Sequence, residues 1–265
     1  KTESDPSGGN NYTITGTSQL LSVPYAFYAE TSGNSNSWLL NGNGGSVSNS
    51  NFIGTITDVP FNIKVFNQKA GKIDNILYNT FYGFLSGNSN TTGKWNTAVG
   101  NIALRDNTTG NDNTAIGDET LTFNTSGNQN TALGEGTLFK NTEGNDNTAA
   151  GYTALGSNTI GVQNTAVGNY ALFANTTTGN NTAVGFKSLW KNTQGGNNTA
   201  NGAFSLTANT TGGNNTAFGF QSMQANLTGT QNTAVGSGAL LVSNATYNTA
   251  MGANALYNNI TGNAN

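Results

Sequence analysis

The chain contains no cysteine and no histidine, and only three prolines in 265 residues. Without cysteine there is neither a disulfide framework nor a thiolate nucleophile, and without histidine there is no Ser/His/Asp triad. With both missing, the usual zinc ligand sets are gone as well. Charge is scarce: 9 Lys+Arg and 12 Asp+Glu amount to 8% of the chain, against about 25% in typical globular proteins. The net charge of -3 offers no cationic surface to phosphate backbones, so nucleic acid is not an expected partner. The longest apolar run, residues 20–29, is broken by Ser22 and Pro24 and falls short of the roughly 20 residues a membrane helix needs. The chain opens on Lys1 without a signal-peptide pattern, and it reads as a piece of a longer polypeptide.

What is abundant is small and polar. Asn (47), Thr (40) and Gly (36) dominate, while aromatics are kept at 9%. Disordered chains are rich in Pro, Glu, Ser and Lys, so this composition points instead to order that does not depend on a large core.

The order is periodic. The string Asn-Thr-Ala-x-Gly begins at Asn96, Asn113, Asn130, Asn147, Asn164, Asn181, Asn198, Asn215, Asn232 and Asn248, with eight spacings of 17 and a last one of 16. Its fourth place is apolar except at Asn201, and one period earlier Asn79-Thr80-Phe81-Tyr82-Gly83 is a degenerate first copy. The ninth place is Leu or Met in each full copy, from Leu104 to Leu256. Seventeen residues are too few for a helical-pair repeat, and Gly, Asn and Thr in every copy are poor helix formers. A coil of that length fits two short strands and two turns, which predicts an all-β fold: a parallel β-solenoid of about eleven coils over residues 79–265, continuing beyond the last residue. One strand would be Thr-Ala-Val-Gly and the other the segment around Ala-Leu.

Each repeated place then has a predicted job. The invariant fifth-place glycine, as at Gly100, Gly117 and Gly134, marks a tight turn needing positive φ or close backbone approach. The twelfth-place asparagines, such as Asn107, Asn124 and Asn141, should form amide ladders between coils. Several also read as N-x-S/T glycosylation acceptors, but a residue demanded by every turn needs no sugar to explain it. Because strand residues alternate, the third-place Ala and the fourth-place residue cannot both point inward. The Ala and Leu are assigned to the interior. The fourth-place stripe, Val99, Ile116, Leu133, Val167, Val184, Phe218 and Val235, is assigned to an interface between copies around a threefold axis, because a single thin coil looks under-packed.

The repeat Asn164-Thr165-Ala166-Val167-Gly168 and its relatives resemble the S-V-A-I-G-type repeat of the YadA-like head of trimeric autotransporter adhesins. That resemblance covers residues 79–265. It implies a left-handed parallel β-roll, a homotrimer, display outside the cell, and adhesion to host cell-surface or carbohydrate receptors. The coils here are longer than the family's, with Thr where the family often has Val. Segments such as Leu20-Leu21-Ser22-Val23-Pro24-Tyr25-Ala26 also resemble parts of surface and fibre proteins of Bacteroidetes-type bacteria and their phages. A tail fibre of a phage or injection device is therefore the alternative origin.

Residues 1–78 lack the period. Residues 1–33 read as a linker to an upstream module with a short helix after Ser22, and residues 34–78 as a β-hairpin cap, with Phe52–Thr57 pairing to Phe61–Val65. Trp38 is expected to pack against that cap.

Binding chemistry has few candidates. Aromatics at the sixth, seventh and tenth places, chief among them Tyr152, Tyr170 and Trp190, suit glycan stacking, and they suit chain-chain grooves as well. The acidic residues hold no fixed place in the coil and make no calcium-loop array, so no metal and no cofactor is expected. No acidic residue follows Asp146, which leaves no carboxylate pair for glycoside hydrolysis there. The chain is read as non-enzymatic. A row of second-place Thr keeps an ice-binding solenoid as a competing function.

Overall fold

The computed structural model describes residues 54–264, and the predictions for residues 1–53 lie outside the described residues. Thirteen strands form one sheet in sequence order, with no helix among the described residues. Strands β1 (Phe61–Val65), β2 (Gln68–Asp74) and β3 (Asn79–Tyr82) are antiparallel neighbours. From β3 onward every pairing is parallel and each strand is one Thr-Ala-x step: β4 (Thr97–Val99), β5 (Thr114–Ile116), β6 (Thr131–Leu133), β7 (Thr148–Ala150) and β8 (Thr165–Val167). The series continues with β9 (Thr182–Val184), β10 (Thr199–Asn201), β11 (Thr216–Phe218), β12 (Thr233–Val235) and β13 (Thr249–Met251). From β4 onward Thr pairs with Thr and Ala with Ala, including across the last 16-residue step, while β3 sets Phe81 against Ala98. The chain is a parallel β-solenoid with one strand per coil.

The predicted second strand is absent. In its place runs a series of turns in which the seventh and ninth residues of each coil hold left-handed backbone, for instance Ile102 (φ 48°) with Leu104 (φ 53°), and Lys187 (φ 54°) with Leu189 (φ 50°). Such angles are unfavourable for Leu, so propensity could not announce them. Packing and pairing hold them. The Leu side chain is fully buried, and its amide donates to the eighth-place carbonyl of the next coil, as from Leu104 to Thr120 at 2.9 Å and from Leu172 to Ser188 at 2.9 Å. The turns thus form a second coil-to-coil ladder.

The interior is narrow and closed. Third-place Ala, ninth-place Leu or Met and a small eighth-place residue fill it, essentially without exposure until the last coil, where Leu256 is 38% exposed. Where the eighth place is polar, the hydroxyl reaches the next coil, as Thr120 Oγ1 does to the Gly134 carbonyl at 2.7 Å, with buried Ser205 Oγ the exception that has no partner. The first coil swaps sizes. Phe81 stands where later coils have Ala, and Gly87 stands where they have Leu; a Cβ on Gly87 would meet the Phe81 ring at 2.7 Å. One large side chain per layer is kept, which is what close packing requires.

Asparagine does the rest. As predicted, the twelfth-place amides stack: Asn124 Nδ2 donates to Asn107 Oδ1 at 2.8 Å, and Asn141 Nδ2 donates to Asn124 Oδ1 at 2.8 Å. Each also donates to a carbonyl three residues on, as Asn141 Nδ2 does to Gly144 O at 3.0 Å. From Asn107 to Asn226 these amides are buried, while Asn90 and Asn259 at the two ends are half-buried. A second ladder lies at the first place, where Asn113 N–H donates to Asn96 Oδ1 at 3.0 Å and Asn113 Nδ2 donates to the Gly127 carbonyl at 2.8 Å. The side chain here replaces a backbone acceptor between coils. Thirteenth-place Thr adds a third contact, its hydroxyl donating to the carbonyl of its successor, as Thr108 does to Thr125 at 2.9 Å. The twelfth-place ladder stops where Ser243 replaces Asn, and Asn226 Oδ1 is left there without a partner.

The under-packing inferred from apolar content is therefore corrected. Two buried amides per coil complete the interior that Ala and Leu begin, so the chain closes its own core. Fifth-place glycines behave as predicted: Gly100, Gly117 and Gly134 have φ of 139°, 138° and 119°, and an added Cβ would strike the next coil's glycine backbone.

The hairpin also falls one element later than predicted. Residues 54–60 form bends, and Phe61–Val65 pairs with Gln68–Asp74 around Phe66 and Asn67, both with positive φ. Two consecutive positive φ values make the tight hairpin turn that Asn-Gly usually signals, and Phe-Asn hides that signal. Within β2, burial pushes the Asp74 carboxyl up, but hydrogen bonds from Lys72 and from the Leu77 and Ile76 amides outweigh it and hold its pKa below the ordinary value. Lys69 donates to the Gly87 carbonyl and lies 4.3 Å from the Phe81 ring centroid. Burial, then the Lys72 charge, lower its pKa from 10.5 to about 8, against the pull of Asp74. The folded chain binds this proton more weakly than the unfolded chain, so folding gains stability as pH rises from 8 to 10.5 and holds none of that gain below 8. Urea midpoints measured below pH 8 and above pH 10.5 should show that rise, and Lys69→Met should flatten it.

Candidate functional site: an apolar column and an aromatic strip

Two surfaces of the solenoid stand out. The first is the outward face of the sheet. With Ala turned inward, the alternation puts the second and fourth places outside. The parallel register stacks the fourth-place side chains into one column: Val99, Ile116, Leu133, Ala150, Val167, Val184, Asn201, Phe218, Val235 and Met251. Most members of the column are exposed, from 36% at Val99 to 73% at Met251, and Val184 is half-buried. Ala150 interrupts the column by size and Asn201 by polarity. Beside it runs the row of half-exposed second-place Thr. All seven predicted stripe residues thus lie on one face.

The second surface lies on the turns. Tyr152 and Tyr170 meet edge to face with centroids 5.4 Å apart, and Tyr170 meets Phe173 at 6.0 Å. Further along, Phe186 meets Phe204 at 5.3 Å, and Phe204 meets Phe220 at 6.1 Å. Lys187 joins the two groups: its ammonium lies 5.9 Å from the Tyr170 centroid, 5.2 Å from Phe186 and 4.7 Å from Trp190. Lys191 lies 5.6 Å from the Trp190 centroid. The local reason is the coil itself: left-handed residues at the seventh place and flanking turns push the sixth, seventh and tenth side chains outward, one set per coil. Tyr152, Tyr170 and Trp190 are thereby brought into one strip, and Tyr257 has no ring contact with it among the described residues. The Tyr152 phenol is raised above its ordinary pKa by the neighbouring Tyr170 phenol first and by the Glu135 carboxylate next.

A third feature escaped the sequence reading. Lys94, Trp95, Asn111, Asp112, Asn128, Gln129, Asn145 and Asp146 line a shallow, open groove of about 710 Å³ at the sixteenth and seventeenth places. Its floor carries another amide ladder, with Asn111 N–H donating to Asn128 Oδ1 at 2.9 Å and Asn128 N–H donating to Asn145 Oδ1 at 2.7 Å. Trp95 stacks on Tyr78 with centroids 6.3 Å apart. The available signal was Asn recurring at 17-residue steps in three early coils only. Among the described residues, no group of three or more acidic side chains is placed to hold a metal ion.

Chemically, these surfaces offer stacking, apolar contact and hydrogen bonds, with two ammonium groups on the strip and Lys94, Asp112 and Asp146 in the groove. No family model, curated protein or solved structure matches the chain.

Proposed function

We propose that the chain is a non-enzymatic, extracellular fibre segment that assembles as a homotrimer and serves as a rigid spacer with an adhesive surface for cell-surface or glycan receptors. One observation carries this reading. The apolar column runs through the whole repeat on a face that the chain does not need for its own core. A soluble monomer rarely leaves so long an apolar stripe in water, even one broken at Asn201. A threefold arrangement with the three columns facing the axis covers it and leaves the turn-borne aromatic strip outside for a receptor. The resemblance to YadA-like heads supports the same assembly and a left-handed coil. In this reading the β1–β2 hairpin caps the first coil by pairing antiparallel to β3, which protects the edge of the parallel stack. A tail fibre of a phage or injection device would use the same geometry.

Ice binding is the second reading, favoured by the in-register Thr row, and thermal hysteresis from a monomeric chain would select it. The test of the first is a triple substitution in the column, Ile116→Glu, Leu133→Glu and Val167→Glu. Each side chain already stands in water in the single chain, so the circular dichroism of the coils should persist while the trimer is lost. Retention of the trimer would overturn the axial placement of the column.

A further inference from the structure

We propose that the surface around Trp190 binds a carboxylate-bearing glycan, with Lys187 and Lys191 recognising the carboxylates and Trp190 and Tyr170 stacking on sugar faces. The inference rests on the adhesive reading above and names the ligand class for its strip. From residue 147 to residue 265 the chain has two charged side chains, Lys187 and Lys191. Both lie in one coil, at the seventh and eleventh places, and both ammonium groups lie within 6 Å of the same indole. Neither takes part in the two ion pairs of the described residues, Lys72 with Asp74 and Arg105 with Asp106. The nearest carboxylate in coil order on this face is Glu135, three coils earlier, or roughly 14 Å along the axis at about 4.8 Å per coil. That exceeds the screening length of about 8–10 Å at physiological salt, so the two positive charges are not neutralised from within the chain.

In a chain with so few charges, two cations placed together over one ring call for an anion. Lysine is a compact point charge without the planar fork of arginine, which suits single carboxylates spaced along a chain better than bidentate phosphate recognition. Rings on successive coils repeat along the axis, so a linear saccharide lying along the rod can present one face per coil. Asn169 and Gln221, at the sixth and seventh places, add neutral hydrogen-bonding groups. Asp118, Glu119 and Glu135 occupy the same face in the earlier coils and repel a polyanion there. The footprint is thereby confined to the coils from Asn147 onward.

The test uses the full chain titrated calorimetrically with an oligomannuronate and with a neutral cello-oligosaccharide of equal length. The acidic probe should bind more tightly, with affinity that falls as salt rises. The double variant Lys187→Gln/Lys191→Gln should lose about tenfold or more of that affinity, as removal of charge-assisted hydrogen bonds predicts, and should keep its affinity for the neutral probe. Trp190→Ala should weaken both probes with an unchanged circular dichroism spectrum. Equal affinity for the two probes, or indifference to the lysine substitutions, would overturn the anionic ligand class and leave a neutral glycan platform standing. Binding of neither probe would overturn the glycan reading itself.

Discussion

Gly168→Val should destabilise the solenoid by about 3–5 kcal/mol, combining backbone strain with overpacking against a neighbour that cannot yield. Gly168 has φ 127°, and an added Cβ would lie 2.7 Å from the carbonyl carbon and oxygen of Gly185 in the next coil. Backbone, not a flexible side chain, is the obstacle. Because stability in a solenoid is a sum of coils and coil-coil contacts, the damage should be local, splitting the thermal transition at the junction of β8 and β9. Gly196→Ala is the internal control. Its Cβ would meet the Gly179 carbonyl oxygen at an ordinary 3.4 Å, so its melting should stay within about 0.5 kcal/mol of the parent. Equal effects from the two substitutions would remove the role given to the fifth-place glycine.

Asn141→Asp should be similarly damaging, and in a pH-dependent way. The substitution keeps the shape and leaves Oδ1 able to accept from Asn158 Nδ2 at 2.8 Å, but it turns the donor facing Asn124 Oδ1 and the Gly144 carbonyl into an acceptor. A buried carboxylate facing two oxygens should cost about 3–5 kcal/mol at neutral pH. The buried variant side chain takes up a proton more readily folded than unfolded, so the loss should shrink as pH falls and the neutral carboxyl regains one donor. Asn141→Ala, which introduces no charge, should cost about 2–3 kcal/mol with little pH dependence. Denaturant midpoints across acidic and neutral pH separate the two. A pH-independent loss for Asp would show that this ladder is solvated.

The fold was legible wherever one residue type recurs at one place for one physical reason. Fifth-place Gly, inward Ala and Leu, twelfth-place Asn and the outward column all followed from a frame of 17 with strand alternation. What escaped depends on angles or partners that residue type does not encode. Leu104 and its equivalents sit in left-handed backbone that Leu disfavours, held by burial and an amide bond to the next coil, so the sequence suggested a strand. First-place Asn looked like part of the strand motif, whereas its side chain is a buried acceptor between coils. Counting only apolar residues therefore understated the core. The aromatic strip was legible residue by residue, but its unity was not: Lys187 joins Tyr170 to Trp190 only once the coil turns are placed.

The apolar column matters most to the functional reading, because the interior is complete without it and the proposed assembly would cover it. Sedimentation equilibrium on the native chain tests that directly. The account predicts a single species of about 82 kDa, three copies of the 27.3 kDa chain, persisting on dilution. A well-folded species of 27.3 kDa across the same concentrations would contradict it.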